Sequence, residues 1–307
     1  MSSLQKSLRD YLALRRSLGF KIVREGMWLP GFVRAVEQSG SSHVTTTLAL
    51  HWAMGPKTPP PPSWTTRLSM VRKFAQYLHA RDPRTEVPPA DLAPRRKNHF
   101  EPYIYLDTDV TALMAAIRNT YTRFNGETYS TMIGLLAATG MRVGEVIRLD
   151  RSDFDPHLGI IQIRHTKFGK SRQIPLHPST TRALCKYASA RDRAIRSPAC
   201  PAFFPSTTGT RLIHINFHCR FFKMVTLVGL NGAKPQRPRI HDLRHTFAIK
   251  TLSTWYRSGL DTGPRLPALS TYLGHVSPSS TYTYLHATPE LLQLASRKLE
   301  TSQGARS

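Results

Sequence analysis

The sequence predicts a mainly α-helical protein of two domains, with a small β-hairpin in the second domain. The chain of 307 residues is longer than a typical single domain. Apolar residues recur at helical spacing through most of the chain, whereas only residues 159–164 and 171–176 alternate as strands do. Residues 82–105 are rich in proline and charge and have the composition of a linker. We therefore expect a helical domain over residues 1–81 and an α+β domain over residues 106–307.

The first domain is predicted to be a bundle of four amphipathic helices. Their apolar periods run over residues 4–18, 25–37, 45–54 and 63–80. Gly19 is expected to end the first helix, because glycine readily adopts the left-handed conformation found after a helix C-terminus. The run Pro59–Pro62 predicts a stiff, extended connector before the fourth helix.

Between residues 107 and 273, the second domain is predicted to contain seven helices around the hairpin. The helices are expected over residues 107–117, 128–139, 143–149, 178–195, 214–229, 241–256 and 268–273. The tip of the hairpin is expected at residues 165–170. One of these helices carries His214 and His218, four residues apart, but the sequence offers no third metal ligand beside them. We expect this helix face to lie near nucleic acid.

The charge of the chain predicts a polyanionic partner. Lysine and arginine number 43 against 19 acidic residues, which gives a formal net charge of +24. Such an excess disfavours a compact chain unless a polyanion neutralises it, so we expect nucleic acid to bind. Basic helix faces of the first domain are predicted to lie near phosphates, with a solvated surface as the alternative. Linker residues 95–97 are also predicted to lie near phosphates, with a flexible linker that makes no fixed contact as the alternative.

Other functional classes fit the sequence less well. No apolar run approaches the ~18 residues needed to span a membrane, and the start of the chain lacks the apolar stretch of a signal peptide. The three cysteines, Cys185, Cys200 and Cys219, form neither a Cys-x-x-Cys pair nor a disulfide framework. A reducing cytoplasm is therefore the expected compartment.

Five short motifs of the second domain carry side chains suited to one anionic target. They are Ala-Thr-Gly-Met-Arg-Val-Gly-Glu at 138–145, Thr-Lys-Phe-Gly-Lys-Ser-Arg at 166–172, His-Asp-Leu-Arg-His at 241–245, Leu-Gly-His at 273–275 and Thr-Tyr-Thr-Tyr at 281–284. Arginine offers a fork of donors that matches phosphate oxygens, and histidine changes protonation near neutral pH. Tyrosine becomes a nucleophile only beside cations and a base. In this order and spacing, the motifs resemble the tyrosine recombinases, also called the phage integrase family, over roughly residues 100–300.

The resemblance implies a set of site residues. The catalytic side chains are expected to be Arg142, Lys167, His241, Arg244, His275 and Tyr284, with Glu145 supporting the site from behind. The two arginines are expected to hold the phosphate, the lysine to be the general acid and the tyrosine to be the nucleophile. The resemblance implies no metal and no other cofactor.

Alternatives remain open at several of these positions. Lys170 and Tyr282 are the second choices for the lysine and the tyrosine. His245 is expected to be a packing residue. The alternative role for Arg142 is a surface salt bridge with Glu145, because exposed pairs of this kind are common and weak.

The resemblance also implies the reaction and the assembly. The tyrosine is expected to form a covalent 3′-phosphotyrosyl bond with double-stranded DNA and to release a 5′ hydroxyl, as in the integration or transposition of a mobile element. A tetramer is expected on two DNA sites, with related recombinases or accessory proteins as further partners. Residues Pro289–Leu299 are expected to form an amphipathic helix that docks on a neighbouring protomer or caps its own.

Two other functions remain open for this residue set. One is relaxation of DNA supercoils, as in the type IB topoisomerases. The other is a catalytically inactive accessory protein that only binds DNA. In each case we expect a cytoplasmic protein that is associated with the nucleoid when it is bound to DNA.

Overall fold

The computed structural model describes residues 3–55, 64–92, 101–164, 171–196, 199–232, 236–275, 277, 279–285 and 293. The chain divides into two compact units, residues 1–99 and 100–307. Four predicted features lie outside the described residues: the proline connector, linker residues 95–97, the hairpin tip with Lys167 and Lys170, and all but residue 293 of the helix expected at Pro289–Leu299.

The first unit contains four helices, as the apolar periods predict. They are α1 (Ser3–Ser17), α2 (Val23–Gln38), α3 (Thr46–Met54) and α4 (Trp64–His79). Thr45 is the N-cap of α3, since its side chain accepts a hydrogen bond from the backbone N–H of Leu48 at 3.2 Å. The core includes Leu29, Phe32 and Phe74, all fully buried.

Both ends of the stretch expected to be a linker pack against the units. Glu86 donates its backbone N–H to the carbonyl of Val44 at 2.8 Å in the first unit. In the second unit, Tyr103 and Tyr105 are buried in the core. The composition of this stretch does not predict the packing, because Tyr103 and Tyr105 lie among proline and charged residues.

Among the described residues of the second unit, seven α-helices lie where the apolar periods predict them, although the second begins at Arg123, five residues before the predicted start. A further short helix, at Ser279–Tyr282, was not predicted. These helices are α5 (Asp107–Thr120), α6 (Arg123–Thr139), α7 (Val143–Arg148), α8 (Pro178–Ala194), α9 (His214–Leu227), α10 (Ile240–Arg257), α11 (Arg265–Leu273) and α12 (Ser279–Tyr282). Within the described residues, α6 packs against α5, α8 and α10, so it lies at the centre of the unit. The start of α11 lies three residues earlier than the sequence predicts, because Pro267 is tolerated in the first turn of a helix.

The hairpin is part of a small antiparallel sheet. Strands β1 (Phe154–Asp155), β2 (Ile160–Ile163) and β3 (Arg172–Pro175) lie in the order β1-β2-β3. Ile161 pairs with Ile174, and both side chains enter the core. Strand β1 could not be predicted from the sequence, because two residues are too few to show an alternating pattern.

The predicted fold class is confirmed: the chain is mainly helical, with a small β-sheet in the second unit. In the part of the chain that the structure describes, none of the helices is both long enough and apolar enough to cross a membrane.

Candidate active site

Arg244 is the most deeply buried of the predicted site residues. It lies on α10 with 1% of its surface exposed. Its guanidinium donates to the carbonyl of Gly140 at 3.0 Å and to the carbonyl of Leu273 at 2.7 Å. Burial, and then the charge of Arg142, lowers the pKa of Arg244 to about 10, so it remains a cation at neutral pH. Arg244 thus joins the turn before α7 to the end of α11.

Arg142 lies immediately before α7 and is only partly buried. It donates from its side chain to the carbonyl of Gly274 at 2.9 Å and to the carboxylate of Glu145 at 3.0 Å. The same carboxylate also accepts the backbone N–H of Arg142 at 2.9 Å. The salt bridge considered from the sequence is therefore present, but its acid is buried, and Arg142 keeps an exposed side toward solvent.

Glu145 is buried and bridges two arginines. The second is Arg172 on β3, which donates to both carboxylate oxygens at 3.1 Å and 2.9 Å, and to the carbonyl of Tyr272 at 2.8 Å. Burial alone would raise the pKa of Glu145, but the hydrogen bonds and charge of Arg172, then of Arg142, outweigh it and lower that pKa. Glu145 is thus an anion that holds both arginines in place.

Two glycines permit these close contacts. Gly140 and Gly274 follow α6 and α11 with φ of 61° and 67°, a conformation that other residues adopt at a cost. A Cβ atom on Gly140 would lie 2.6 Å from the Phe247 ring, and one on Gly274 would lie 2.7 Å from the Arg172 guanidinium. The carbonyls of these same glycines accept hydrogen bonds from Arg244 and Arg142.

Tyr284 lies in the same pocket as Arg244. It is 4% exposed, and its ring packs in an apolar cluster with Leu252, Leu269 and Leu273. Burial raises the pKa of its phenol, while the positive charge of Arg244, then that of Arg142, opposes the rise. The candidate nucleophile therefore contacts the arginine cluster of its own chain.

Two histidine rings pack beside the tyrosine, and a third packs against one of them. The ring centroid of Tyr284 lies 5.4 Å from that of His245 and 5.9 Å from that of His275. The His241 ring centroid lies 4.9 Å from that of His245. His275 is oriented by a 2.7 Å hydrogen bond between its Nδ1 and the Thr281 hydroxyl.

The histidines are neutral at pH 7. Burial first, and neighbouring positive charges second, lower the pKa of His241, His245 and His275 to about 4 each. A neutral imidazole has one nitrogen free to accept a proton and one that donates a hydrogen bond. The pocket thus combines fixed cations with potential proton acceptors.

Five of the six predicted catalytic side chains converge in this pocket: Arg142, His241, Arg244, His275 and Tyr284. Lys167 lies outside the described residues. Tyr282, the second choice for the nucleophile, is 50% exposed.

The sequence motifs predict no site role for Arg172 or His245. Arg172 lies two residues before the buried Ile174 on β3, so the alternation of a strand places both side chains on the inward face. This alternation could have predicted that Arg172 points into the protein. His245 was expected to be a packing residue, yet its ring contacts both His241 and Tyr284. It lies four residues after His241 on α10 and therefore on the same side of the helix.

The histidine pair of α9 is separate from this pocket. The rings of His214 and His218 stack with centroids 6.1 Å apart. Among the residues described by the structure, no three histidine, cysteine or acidic side chains are grouped in a way that would hold a metal ion.

Comparisons with known proteins bear on the fold and the family. Residues 105–290 match the phage integrase family. A Sinorhizobium fredii protein named "Putative integrase/recombinase y4rB" is 40% identical over 307 residues, which cover 98% of each chain. Other curated relatives carry the name tyrosine recombinase.

Two solved structures share the fold. One is the Tn1549 transposon integrase in complex with transposon right-end DNA, with a TM-score of 0.66 and 18% identity over 96% of this chain and 99% of that one. The other is a lambda integrase tetramer bound to a Holliday junction, with a TM-score of 0.63 and 16% identity over 92% of this chain and 76% of that one. At these identities the likeness shows the fold alone.

The fold, together with a tyrosine buried against an arginine, defines the class as a site-specific DNA recombinase of the tyrosine type. The family match covers more than half of the chain, and y4rB aligns over nearly all of it. The chain belongs to the phage integrase family.

Proposed function

We propose that this recombinase cuts and rejoins DNA through a covalent bond between Tyr284 and a 3′ phosphate. The observation that carries the proposal is the position of the Tyr284 phenol beside the buried Arg244 guanidinium, with Arg142 and three neutral histidines in the same pocket. A phenol held next to two guanidinium groups is positioned for attack on a phosphodiester, because the same cations that contact the phenol attract phosphate oxygens.

Each predicted residue has a role in this reaction. The Tyr284 oxygen attacks phosphorus and the bond from phosphorus to the 5′ oxygen breaks. The tyrosine proton passes to His241, and Lys167 protonates the departing 5′ oxygen. The two arginines and His275 donate to the nonbridging oxygens, where negative charge increases in the transition state.

His245 is a second candidate for the tyrosine proton. Its ring is closer to Tyr284 than the His275 ring is, with centroids 5.4 Å and 5.9 Å away. It also contacts His241, so the two histidines offer a short route for the proton away from the phenol.

The proposed reaction uses no metal ion. In metal-dependent phosphoryl transfer, bound ions stabilise the charge on the phosphate oxygens. Arg142, Arg244 and Lys167 supply that positive charge here, and Glu145 holds the first of them in position. The phosphotyrosyl bond retains the energy of the phosphodiester, so a 5′ hydroxyl from another strand can reverse the reaction without ATP.

Strand exchange of this kind requires several active sites on DNA. We propose that the chain acts as a tetramer on two DNA sites of a mobile element. The proposal rests on family membership and on the shared fold with the lambda integrase that was solved as a tetramer on a Holliday junction.

Covalent trapping tests the proposal. Nicked duplexes made from DNA that flanks the coding region are incubated with the full chain, and a nick close to the cut site prevents religation. We expect a protein–DNA adduct from the wild type, none from Tyr284→Phe, and an undiminished adduct from the matched control Tyr282→Phe. An adduct from Tyr284→Phe, or none from wild type on any flanking duplex, would contradict the proposal. Exchange between two copies of the trapped site then distinguishes recombination from supercoil relaxation.

A further inference from the structure

The first unit contains a buried arginine clamped between two aromatic rings. Arg67 lies in the first turn of α4 and is 9% exposed. Its guanidinium carbon is 4.6 Å from the ring centroid of Trp28 on α2 and 5.7 Å from that of Trp52 on α3. Trp52 is itself held in place by the edge of Phe32, with ring centroids 5.3 Å apart. The guanidinium is therefore fixed in position from two sides.

Arg67 has no anionic partner among the residues that the structure describes. Its Nε is buried without a hydrogen-bond partner, and no described carboxylate forms an ion pair with it. Other buried arginines differ: Arg172 binds Glu145, Arg191 binds Asp192, and Arg244 binds two carbonyls. Burying a charge without a partner is costly, and attraction to the indole faces offsets only part of that cost. The arrangement is that expected for a cation whose partner is a separate anionic molecule.

The surroundings favour an anion that carries many charges. Side chains on a helix lean toward its N-terminus, so Arg67 leans toward the start of α4, where the helix dipole is positive. On another face of α4, Lys73 lies with Lys21 and Arg24 along a hollow of about 500 Å³ that Arg67 does not line, and Glu25 is the one acidic residue of this hollow. A single carboxylate would not require these additional cations, whereas successive phosphates along a nucleic-acid strand would match them.

We propose that Arg67, held between Trp28 and Trp52, binds a backbone phosphate of the DNA substrate. This inference rests on the proposed function and adds a phosphate subsite in the first unit. A contact of this kind positions the protein on the duplex without reading its sequence. The two indoles hold the guanidinium in position, as a carboxylate would. Because they carry no negative charge, the positive charge of Arg67 remains available to a phosphate.

The salt dependence of DNA binding tests this assignment without knowledge of the recognition site. The full chain is titrated onto a fluorescent 30-base-pair duplex of arbitrary sequence, at KCl concentrations from about 50 to 200 mM, where phosphate contacts dominate binding. For Arg67→Gln we expect about a three- to tenfold loss of affinity at low salt, and a plot of log affinity against log salt that is shallower by about one.

Arg81→Gln is the matched control. Arg81 is an exposed arginine of the same unit, and its guanidinium carbon lies 4.0 Å from the centroid of the Tyr77 ring. The control removes the same charge and a contact of the same type, and we expect a change in affinity of less than about twofold with an unchanged salt slope. Arg67→Lys retains the charge and tests the site if Arg67→Gln fails to fold. We expect the wild-type slope for Arg67→Lys.

The thermal midpoint in the absence of DNA separates binding from packing. If Arg67 serves the phosphate, Arg67→Gln should retain or raise the midpoint, because an unpaired buried charge is removed. A lowered midpoint with unchanged DNA binding would show a packing role and overturn the inference. Altered self-association with unchanged DNA binding would show that the anion is a carboxylate of a second copy, which also overturns it. Absence of DNA binding by wild type would defeat the proposed function itself.

Discussion

The phenol of Tyr284 lies beside the guanidinium of Arg244, in a pocket where only 4% of the surface of Tyr284 and 1% of the surface of Arg244 are exposed. The candidate nucleophile is thus next to the cation that would bind a phosphate in the proposed reaction. Arg244 donates its two hydrogen bonds to the carbonyls of Gly140 and Leu273, so its position does not depend on the phenol. In the proposed reaction, the phenol and the phosphate would therefore both lie against one arginine whose position is already fixed.

The first prediction concerns the stability of the protein without DNA when the phenol oxygen beside Arg244 is removed. Tyr284→Phe deletes only this oxygen and leaves the ring in its apolar cluster. Because the oxygen is a polar neighbour of a buried cation, we expect a loss of about 1–3 kcal/mol in the free energy of unfolding. Urea denaturation of the full chain measures this change.

The neighbouring tyrosine provides the control for that experiment. Tyr282→Phe removes a phenol oxygen that is two residues away, on a side chain that is half exposed. We expect no more than about 0.5 kcal/mol of change, as for most surface substitutions. Equal losses in the two variants would show that the Arg244 contact adds nothing to stability.

The second prediction concerns the buried carboxylate behind the arginines. Glu145→Ala leaves the guanidinium groups of Arg142 and Arg172 without their shared anion. Breaking a buried ion pair by removing one partner costs about 3–5 kcal/mol, and we expect a loss of that size in urea denaturation. Glu145→Gln retains the shape and part of the hydrogen bonding, so its loss should be smaller.

An exposed ion pair of the same unit provides the comparison for Glu145. Glu127 lies 3.5 Å from Arg118, and both side chains are 45% exposed. Glu127→Gln should change the free energy of unfolding by less than about 1 kcal/mol, since water screens such pairs. If Glu145→Ala costs no more than this control, the carboxylate does not hold the arginines together.

The sequence was sufficient to locate most of the candidate site. Arg142 follows a glycine that interrupts an apolar helix period, and His241 and Arg244 are three apart on one helix, so local patterns place all three. The fold class could be predicted for the same reason, since it depends on apolar periods within single helices. These features are encoded by residues that are close together in the chain.

Contacts between distant segments could not be predicted in this way. Arg172 reaches Glu145, 27 residues earlier, and Tyr272, 100 residues later, and no local pattern encodes either distance. His245 was assigned to packing because the motif gives it no role, whereas its contact with Tyr284 depends on how the end of the chain folds back on α10. The two-residue strand β1 is likewise defined only by its pairing with β2.

The third prediction concerns the pH dependence of stability. In the folded state, burial lowers the pKa of His241, His245 and His275 to about 4, whereas histidine in an unfolded chain titrates near 6.5. Between these pH values the unfolded chain binds more protons than the folded chain. Stability is therefore lost as the pH falls from about 6.5 toward about 4.

Thermal denaturation of the DNA-free protein between pH 7 and pH 5 measures this effect. We expect the midpoint to fall steadily in wild type and to fall less in His241→Gln/His245→Gln. The double variant His214→Gln/His218→Gln changes the stacked pair of α9 and should follow wild type. The buried Glu145 has its own pKa lowered from 4.5, so it contributes only at more acidic pH. A midpoint that is constant from pH 7 to pH 5 would contradict the prediction.

The fourth prediction concerns the glycine that ends α6 and accepts a hydrogen bond from Arg244. Gly140→Ala places a Cβ atom 2.6 Å from the Phe247 ring in a residue with φ of 61°. The left-handed conformation costs about 1–2 kcal/mol, and overpacking adds about 1–3 kcal/mol. We therefore expect a loss of about 2–5 kcal/mol in the free energy of unfolding, which urea denaturation measures.

Two further variants separate the steric cost at Gly140 from the conformational cost. Gly229 has φ of 73° and no atom within 4 Å of a built Cβ, so Gly229→Ala should show only the conformational cost of about 1–2 kcal/mol. Adding Phe247→Leu to Gly140→Ala removes the ring that the new Cβ atom would contact. The double variant should therefore regain part of the lost unfolding free energy, less the packing energy that the smaller leucine side chain does not provide. Equal losses of unfolding free energy in Gly140→Ala and Gly229→Ala would show that the Phe247 ring moves aside without cost. The turn that presents the Gly140 carbonyl to Arg244 would then be less tightly packed than the 2.6 Å distance implies.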